Sequence, residues 1–78
     1  MKEVIIWSIL GCPACRNAKM FFMNKNIEYD ERIVGDNWTK EDFSKAVPNV
    51  RSYPQIFIDG KHIGGWTDLL EYSKNNTI

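Results

Sequence analysis

The 78-residue chain has two cysteines, Cys12 and Cys15, held two residues apart in the stretch Gly11-Cys12-Pro13-Ala14-Cys15-Arg16. Thiols at that spacing can close a disulfide between themselves and reopen it, so the pair reads as a redox dithiol. The alternatives are half of a zinc site or two unrelated structural cysteines. Zinc ordinarily takes four nitrogen or sulfur ligands, and beyond this pair the chain offers only His62, which makes metal the weaker reading.

A thiol must ionise before it attacks a disulfide, and the flanking residues supply the means. Val4-Ile5-Ile6-Trp7 is β-branched and aromatic, as a buried strand is, whereas residues 14–24 have helical composition. Pro13 suits the first helical position, where its missing N–H would have no partner, and this puts Cys12 at or beside the N-cap. Free backbone N–H groups and the positive end of the helix dipole favour a thiolate there, with Arg16 and, more distantly, Lys19 adding positive charge. Cys15 falls in the first turn, within disulfide reach but further into the fold. Cys12 is therefore the expected nucleophile and Cys15 the resolving thiol.

The rest of the composition bounds what this dithiol serves. A chain of 78 residues makes one domain, residues 1–78, which removes roughly 60–65% of its unfolded surface from water. Ten basic and ten acidic residues leave no net charge, so neither nucleic acid nor an anionic membrane is an expected partner. The apolar run from Val4 to Leu10 is too short to span a bilayer, and no cleavage-site pattern follows it. Two cysteines this close would close almost no loop and add little stability, so a cycling dithiol in a reducing, cytoplasmic setting fits better than a structural bridge.

The elements that position the dithiol follow from patterning. Residues 3–8 are predicted as a strand and 13–25 as a helix, with Ala14, Cys15, Ala18, Phe21 and Phe22 inward and Arg16, Asn17, Lys19 and Lys25 outward. Met20 and Met23 are expected in the core with the two phenylalanines. A second strand is predicted over 27–34, parallel to the first across the helix. After a turn at Gly35-Asp36-Asn37, Thr39 and Asp42 form a capping-box start to a short helix over 39–46, ended before Pro48. Residues 55–58 and 61–63 form a hairpin around Asp59-Gly60, Gly64-Gly65 breaks it, and residues 67–74 form a last helix. The predicted order is β-α-β-α-β-β-α, an α/β fold with a four-stranded mixed sheet flanked by three helices.

Three pieces of the chain, in order and over essentially its whole length, resemble the glutaredoxin family of the thioredoxin fold. They are Cys12-Pro13-Ala14-Cys15, Tyr53-Pro54-Gln55-Ile56-Phe57-Ile58 and His62-Ile63-Gly64-Gly65-Trp66-Thr67-Asp68. The likeness is to dithiol glutaredoxins of bacterial or phage type. It implies a glutathione-dependent oxidoreductase that reduces protein disulfides and glutathione mixed disulfides, with no bound cofactor and glutathione as co-substrate. Disulfide-bearing proteins, ribonucleotide reductase among them, are the implied partners of what is expected to be a monomer.

The resemblance also places a cis-proline at Pro54, where the sequence alone reads an ordinary strand-opening proline. Its use would be to leave the N–H and C=O of Tyr53 free to hold glutathione or a peptide in an extended pose. Gly64-Gly65 reads either as a plain turn or as bare backbone that lets a ligand approach, and the helix beginning near Trp66 can offer N–H groups to a carboxylate. The family binds the γ-glutamyl end of glutathione there, which assigns Gly65, Trp66, Thr67 and Asp68 to the ligand, with Asp68 accepting the ammonium. Thr67 or Asp68 as a simple helix cap, and Trp66 as a packed aromatic, remain open. His62 is expected to be solvated, and Trp7 and Trp38 to serve packing.

Three positions depart from the family's common pattern. Ile9 stands where many members have a basic residue, Ala14 where Tyr or Phe is common, and Tyr53 where Val is usual before the cis-proline. Arg51 or Lys45 is a candidate replacement cation. Two rival readings follow: a glutaredoxin-like donor recharged by thioredoxin reductase, which Ile9 favours, and a module holding an iron–sulfur cluster between two copies, for which Ala14 leaves room.

Overall fold

The structure, a computed structural model, describes residues 3–76. Seven elements follow in order: β1 (Val4–Ser8), α1 (Pro13–Asn24), β2 (Asp30–Ile33), α2 (Lys40–Ala46), β3 (Gln55–Ile58), β4 (Lys61–Gly64) and α3 (Trp66–Asn75). They form one sheet in the order β2-β1-β3-β4, with β1 parallel to β2 and antiparallel to β3, and β3 antiparallel to β4. This is the thioredoxin-type arrangement anticipated from the sequence. Among the described residues, no helix is long and apolar enough to cross a membrane.

The central strand β1 is apolar at successive positions because both its faces are covered, as in sheets flanked by helices. Val4 and Ile6 join Ile56 and Ile58 of β3, Ala18 and Phe22 of α1 and Leu69 of α3 in one buried cluster. The alternate residue Trp7 faces the other way, into a second cluster with Val34, Phe43 and Val47. Trp7 meets the Trp38 ring edge-on at 5.2 Å and the Phe43 ring at 5.7 Å, and the Arg32 guanidinium lies 4.3 Å from the centre of the Trp38 ring. Both tryptophans therefore serve packing, as expected.

Helix α1 corrects the sequence reading in two places. Cys15, Ala18 and Phe22 are buried while Ala14 and Phe21 are partly so, but Met20 and Met23 are exposed, at 50% and 60%. Helical periodicity is the reason: Met20 lies on the side of the helix opposite Ala18 and Phe22, and Met23 is one position past Phe22 toward solvent. Hydrophobicity alone placed them inside, and angle placed them outside. Lys19, expected outward, is half-buried and paired to Glu31 at 2.8 Å.

The element boundaries also shift slightly. Strand β2 begins at Asp30 and not at Ile27, because Asn26, Ile27 and the end of α1 are held by backbone bonds to Met23 O and Phe22 O before the strand can start. The expected turn at Gly35-Asp36-Asn37 is closed by Gly35 N–H donating to Trp38 O at 2.7 Å. Asp59 and Gly60 both have positive φ, 51° and 82°, which is what a two-residue turn of the type I′ class demands. Helix α3 starts one residue earlier than expected, at Trp66, and β4 runs on to include Gly64.

Helix α2 begins as its sequence requires. Asp42 N–H donates to Thr39 Oγ1 at 3.1 Å, and the Asp42 carboxylate accepts from Thr39 N–H, also at 3.1 Å. These bonds, first the backbone N–H of Thr39 and then its hydroxyl, hold the Asp42 carboxyl below its ordinary value, with Lys45 adding a smaller attraction.

Phe22→Ala should cost about 3–5 kcal/mol in urea unfolding, since Phe22 is fully buried between the sheet and both flanking helices; a loss under about 1 kcal/mol would deny it that place. Thr39→Ala should cost about 1 kcal/mol at neutral pH. Because the Asp42 carboxyl is lowered in the folded state, its stabilisation is present above the ordinary carboxylate pKa and fades as pH falls through the folded value. The gap between wild type and Asp42→Ala in urea midpoint should therefore be full at neutral pH and narrow in acid; a gap independent of pH would contradict it.

Candidate active site

The dithiol lies where β1 hands over to α1. Cys12 is the N-cap of α1, with extended backbone at φ −108° and ψ 107°, and Pro13 holds the first helical position. Its sulfur takes the place of the usual capping oxygen: Cys15 N–H donates to Cys12 Sγ at 3.1 Å. The two cysteines are joined as a disulfide with their Cα atoms 5.2 Å apart. Cys12 is partly exposed, while Cys15 is only 2% exposed. Cys12 is therefore the sulfur that solvent can reach, and Cys15 lies further into the fold. Any negative charge on Cys12 Sγ would meet that N–H and the positive end of the α1 dipole.

Tyr53, 41 residues after Cys12, comes against the dithiol together with Pro54. The Tyr53–Pro54 peptide bond is cis. Cys12 Sγ lies 3.9 Å from Tyr53 O, and Tyr53 precedes the first paired residue of β3, Gln55. Pro54 is buried, and the Tyr53 ring packs on Phe43 with ring centres 4.8 Å apart.

From Tyr53 an open cleft of about 470 Å³ runs toward the start of α3. Ala14 lines one side, and Gly64, Gly65, Trp66, Thr67 and Asp68 line the far end. Gly65 caps α3, and its N–H donates to Asp68 Oδ2 at 2.9 Å, so Asp68 does act as a helix cap. The carboxylate is nonetheless exposed and borders the cleft, which leaves it free to accept from a ligand as well. Gly64, at φ 120°, passes directly beneath that side chain: a Cβ there would come within 2.9 Å of Asp68 Cβ. Only glycine satisfies both the backbone angle and the close approach.

Trp66 is a packed aromatic that also stands at the cleft. Its ring packs edge-on against Phe21 at 6.1 Å, beside the first core cluster, and its residue also borders the cleft. Thr67 is exposed at the mouth. His62, expected to be solvated, is exposed but not free. Its Nε2 is 2.7 Å from Gln55 Oε1, its ring stacks on Phe57 at 4.9 Å, and Gln55 in turn donates to Ser52 O at 3.1 Å. Pattern reading could not see this brace, since it joins facing residues of two strands.

The cations of interest separate. Arg16 shares a cavity with Cys12 and Cys15 on the β2 side of the dithiol. Arg51 lines a hollow with Ile9, Lys40 and Tyr53, which puts it beside the position where a basic residue is absent. Lys45 does not line that hollow; it acts on Asp42 from the last turn of α2, because helical spacing turns it toward that neighbour. Of the two replacement cations considered, Arg51 is the one brought near, and Lys40 joins it unforeseen.

The family model for glutaredoxin matches residues 4–63. Glutaredoxin 1 of Rickettsia prowazekii (strain Madrid E) is 38% identical in an 81-residue alignment that covers all of this chain and 84% of that protein. The crystal structure of glutaredoxin 1 from Francisella tularensis, complexed with cacodylate, is similar with a TM-score of 0.82 at 34% identity, covering 96% of this chain and 95% of that one. Reduced glutaredoxin of Escherichia coli gives a TM-score of 0.76, also at 34% identity, over 95% of both chains. With the dithiol at a helix N-cap, a cis-proline against it and these relatives spanning the chain, the protein belongs to the glutaredoxin family as a thiol oxidoreductase built on the Cys12–Cys15 pair.

Proposed function

We propose that the chain, as one glutaredoxin domain, is a glutathione-dependent thiol–disulfide oxidoreductase in which Cys12 attacks and Cys15 resolves. The observation that carries this reading is the alignment of Cys12 Sγ, Tyr53 O at 3.9 Å and a cleft that ends on Gly64 to Asp68. Glutathione has a sulfur at its centre and, at its γ-glutamyl end, a carboxylate and an ammonium. A molecule lying along Tyr53 with its sulfur at Cys12 would bring that end to the α3 N-terminus. There the carboxylate would meet the helix N–H groups near Trp66 and Thr67, and the ammonium would meet Asp68.

The reaction then follows from sulfur chemistry alone. The Cys12 thiolate, favoured by the α1 N-terminus and by Arg16, attacks a disulfide in line, and one sulfur leaves as a thiolate. When the substrate is a protein disulfide, Cys15 attacks Cys12 Sγ, releases the reduced protein and closes the Cys12–Cys15 disulfide. Two glutathione molecules reopen it. When the substrate is a glutathione mixed disulfide, Cys12 takes the glutathionyl group and a second glutathione removes it as oxidised glutathione. Tyr53 and Pro54 align the sulfurs, and Gly65, Trp66, Thr67 and Asp68 hold the ligand. Ribonucleotide reductase is a candidate among the protein disulfides so reduced.

A second reading has one observation in its favour. Ile9 stands 37% exposed where many relatives place a base for the glycine carboxylate of glutathione, which suits a donor recharged by thioredoxin reductase. NADPH consumption with glutathione, glutathione reductase and a small mixed disulfide separates the two. Strong catalysis supports the glutathione reading; none, with rapid reduction by thioredoxin reductase, replaces it.

In the same assay Cys12→Ser should abolish turnover, whereas Cys15→Ser should keep reduction of glutathione mixed disulfides and lose that of protein disulfides. Equal loss in both variants would reject the division of labour. Asp68→Asn keeps an acceptor for Gly65 N–H but removes the charge that would meet the ligand's ammonium. It should raise the glutathione KM about tenfold with kcat little changed, and an unchanged KM would remove Asp68 from the binding site.

A further inference from the structure

On the β2 side of the dithiol lies a second cavity, of about 370 Å³, that both Cys12 and Cys15 line. Its charged groups are Arg16 and Lys19 of α1 and Glu31 of β2. Lys19 Nζ is 2.8 Å from Glu31 Oε2, and Ser8 Oγ donates to the same oxygen at 2.9 Å. Ser8 is 2% exposed at the end of an otherwise apolar strand, so its hydroxyl anchors the pair from inside the fold. The Lys19 and Glu31 side chains are themselves 31% and 24% exposed, more sheltered than an ordinary surface pair.

Lys19 stands four residues after Cys15, so the two share a face of α1 with their Cβ atoms about 5–6 Å apart. Cys15 is buried, and a thiolate forming there is penalised by desolvation and feels nearby charges with little screening. Lys19 is the cation one turn away, and Glu31 is the anion that competes for it. Arg16 faces the same cavity but is exposed, while Tyr53, His62 and Asp68 line the opposite cleft.

We propose that the Lys19–Glu31 pair, anchored by Ser8, sets the reactivity of Cys15: Lys19 favours its thiolate, and Glu31 limits that effect by holding and partly neutralising the ammonium. The proposal rests on the reading of Cys15 as the resolving thiol. In that step Cys15 Sγ–H gives its proton to solvent in the cavity, and the resulting thiolate forms a bond to Cys12 Sγ. The bond between Cys12 and the substrate sulfur breaks, and its electron pair leaves with the substrate as a thiolate. Lys19 and Glu31 are positioning residues that act through their charge at Cys15 and touch neither substrate nor leaving group.

The test titrates Cys15 directly. In the full chain carrying Cys12→Ser, one thiol remains, and its ionisation is read from the ultraviolet absorbance of the thiolate against pH. Glu31→Gln should lower the midpoint by about half a pH unit, Lys19→Met should raise it by about as much, and Lys19→Arg should leave it in place. A purely structural role would move the first two in the same direction. Shifts of equal sign, or none, overturn the proposal. Should Glu31→Gln not fold, Ser8→Ala loosens the same carboxylate and should lower the midpoint, and an unmoved midpoint there overturns the proposal as well. No glutathione is present, so a chain inactive with glutathione that still shows the opposed shifts rejects the proposed function and keeps the role of the pair.

Discussion

The hydrogen bond from Cys15 N–H to Cys12 Sγ is the contact on which the rest of the molecule is arranged. It requires a sulfur at the N-cap, an amide turned toward it in the first helical turn, and a strand that ends just before the helix starts. Pro13 meets the second requirement by presetting the helical backbone, and β1 meets the third by ending at Ser8. A helix N-terminus leaves several donors without partners in the chain, and here the N–H of the third helical residue, Cys15, is committed to the Cys12 sulfur. The helix cap is itself one sulfur of the dithiol.

Holding that junction still takes a sheet covered on both faces. Strand β1 sends Val4 and Ile6 to one side, toward α1 and α3, and Trp7 to the other, toward α2. A slip of one residue in β1 would exchange the two sets and carry the dithiol away from Tyr53, since strand side chains alternate strictly. The register between Trp7 and Gln55 therefore also sets the distance between Cys12 and the Tyr53 carbonyl. Packing energy and catalytic alignment draw on one set of contacts.

The dithiol is approached from two sides of different chemistry. One side is a cleft ending on glycines, a helix N-terminus and the Asp68 carboxylate, and the other is a cavity that Ser8, Lys19 and Glu31 help to line. Cys12 is partly exposed and Cys15 buried, so a ligand can reach the first sulfur while the second responds mainly to fixed charges. Burial makes the difference, because charge acts over a longer reach where water does not screen it.

The order of elements, the location of the dithiol, the capping box of α2 and the hairpin turn were legible in the chain, because each depends on residues that are neighbours in it. Cys12 to Cys15, Thr39 to Asp42 and Asp59 to Gly60 are local instructions that survive without knowledge of the fold. Resemblance added the cis-proline and the Gly64–Asp68 motif, which no local rule specifies. What lay beyond both was contact between distant segments. Met20 and Met23 are hydrophobic yet exposed, since they lie off the Cys15, Ala18 and Phe22 face of α1 that the rest of the fold covers. His62 is braced by Gln55 and Phe57 across two strands. Ser8, Lys19 and Glu31 come from a strand, a helix and a second strand and meet on a single oxygen. A lone hydroxyl in the apolar run of β1 was the trace of that meeting in the sequence; its partners were decided by tertiary structure, because only packing brings separate elements within hydrogen-bond reach.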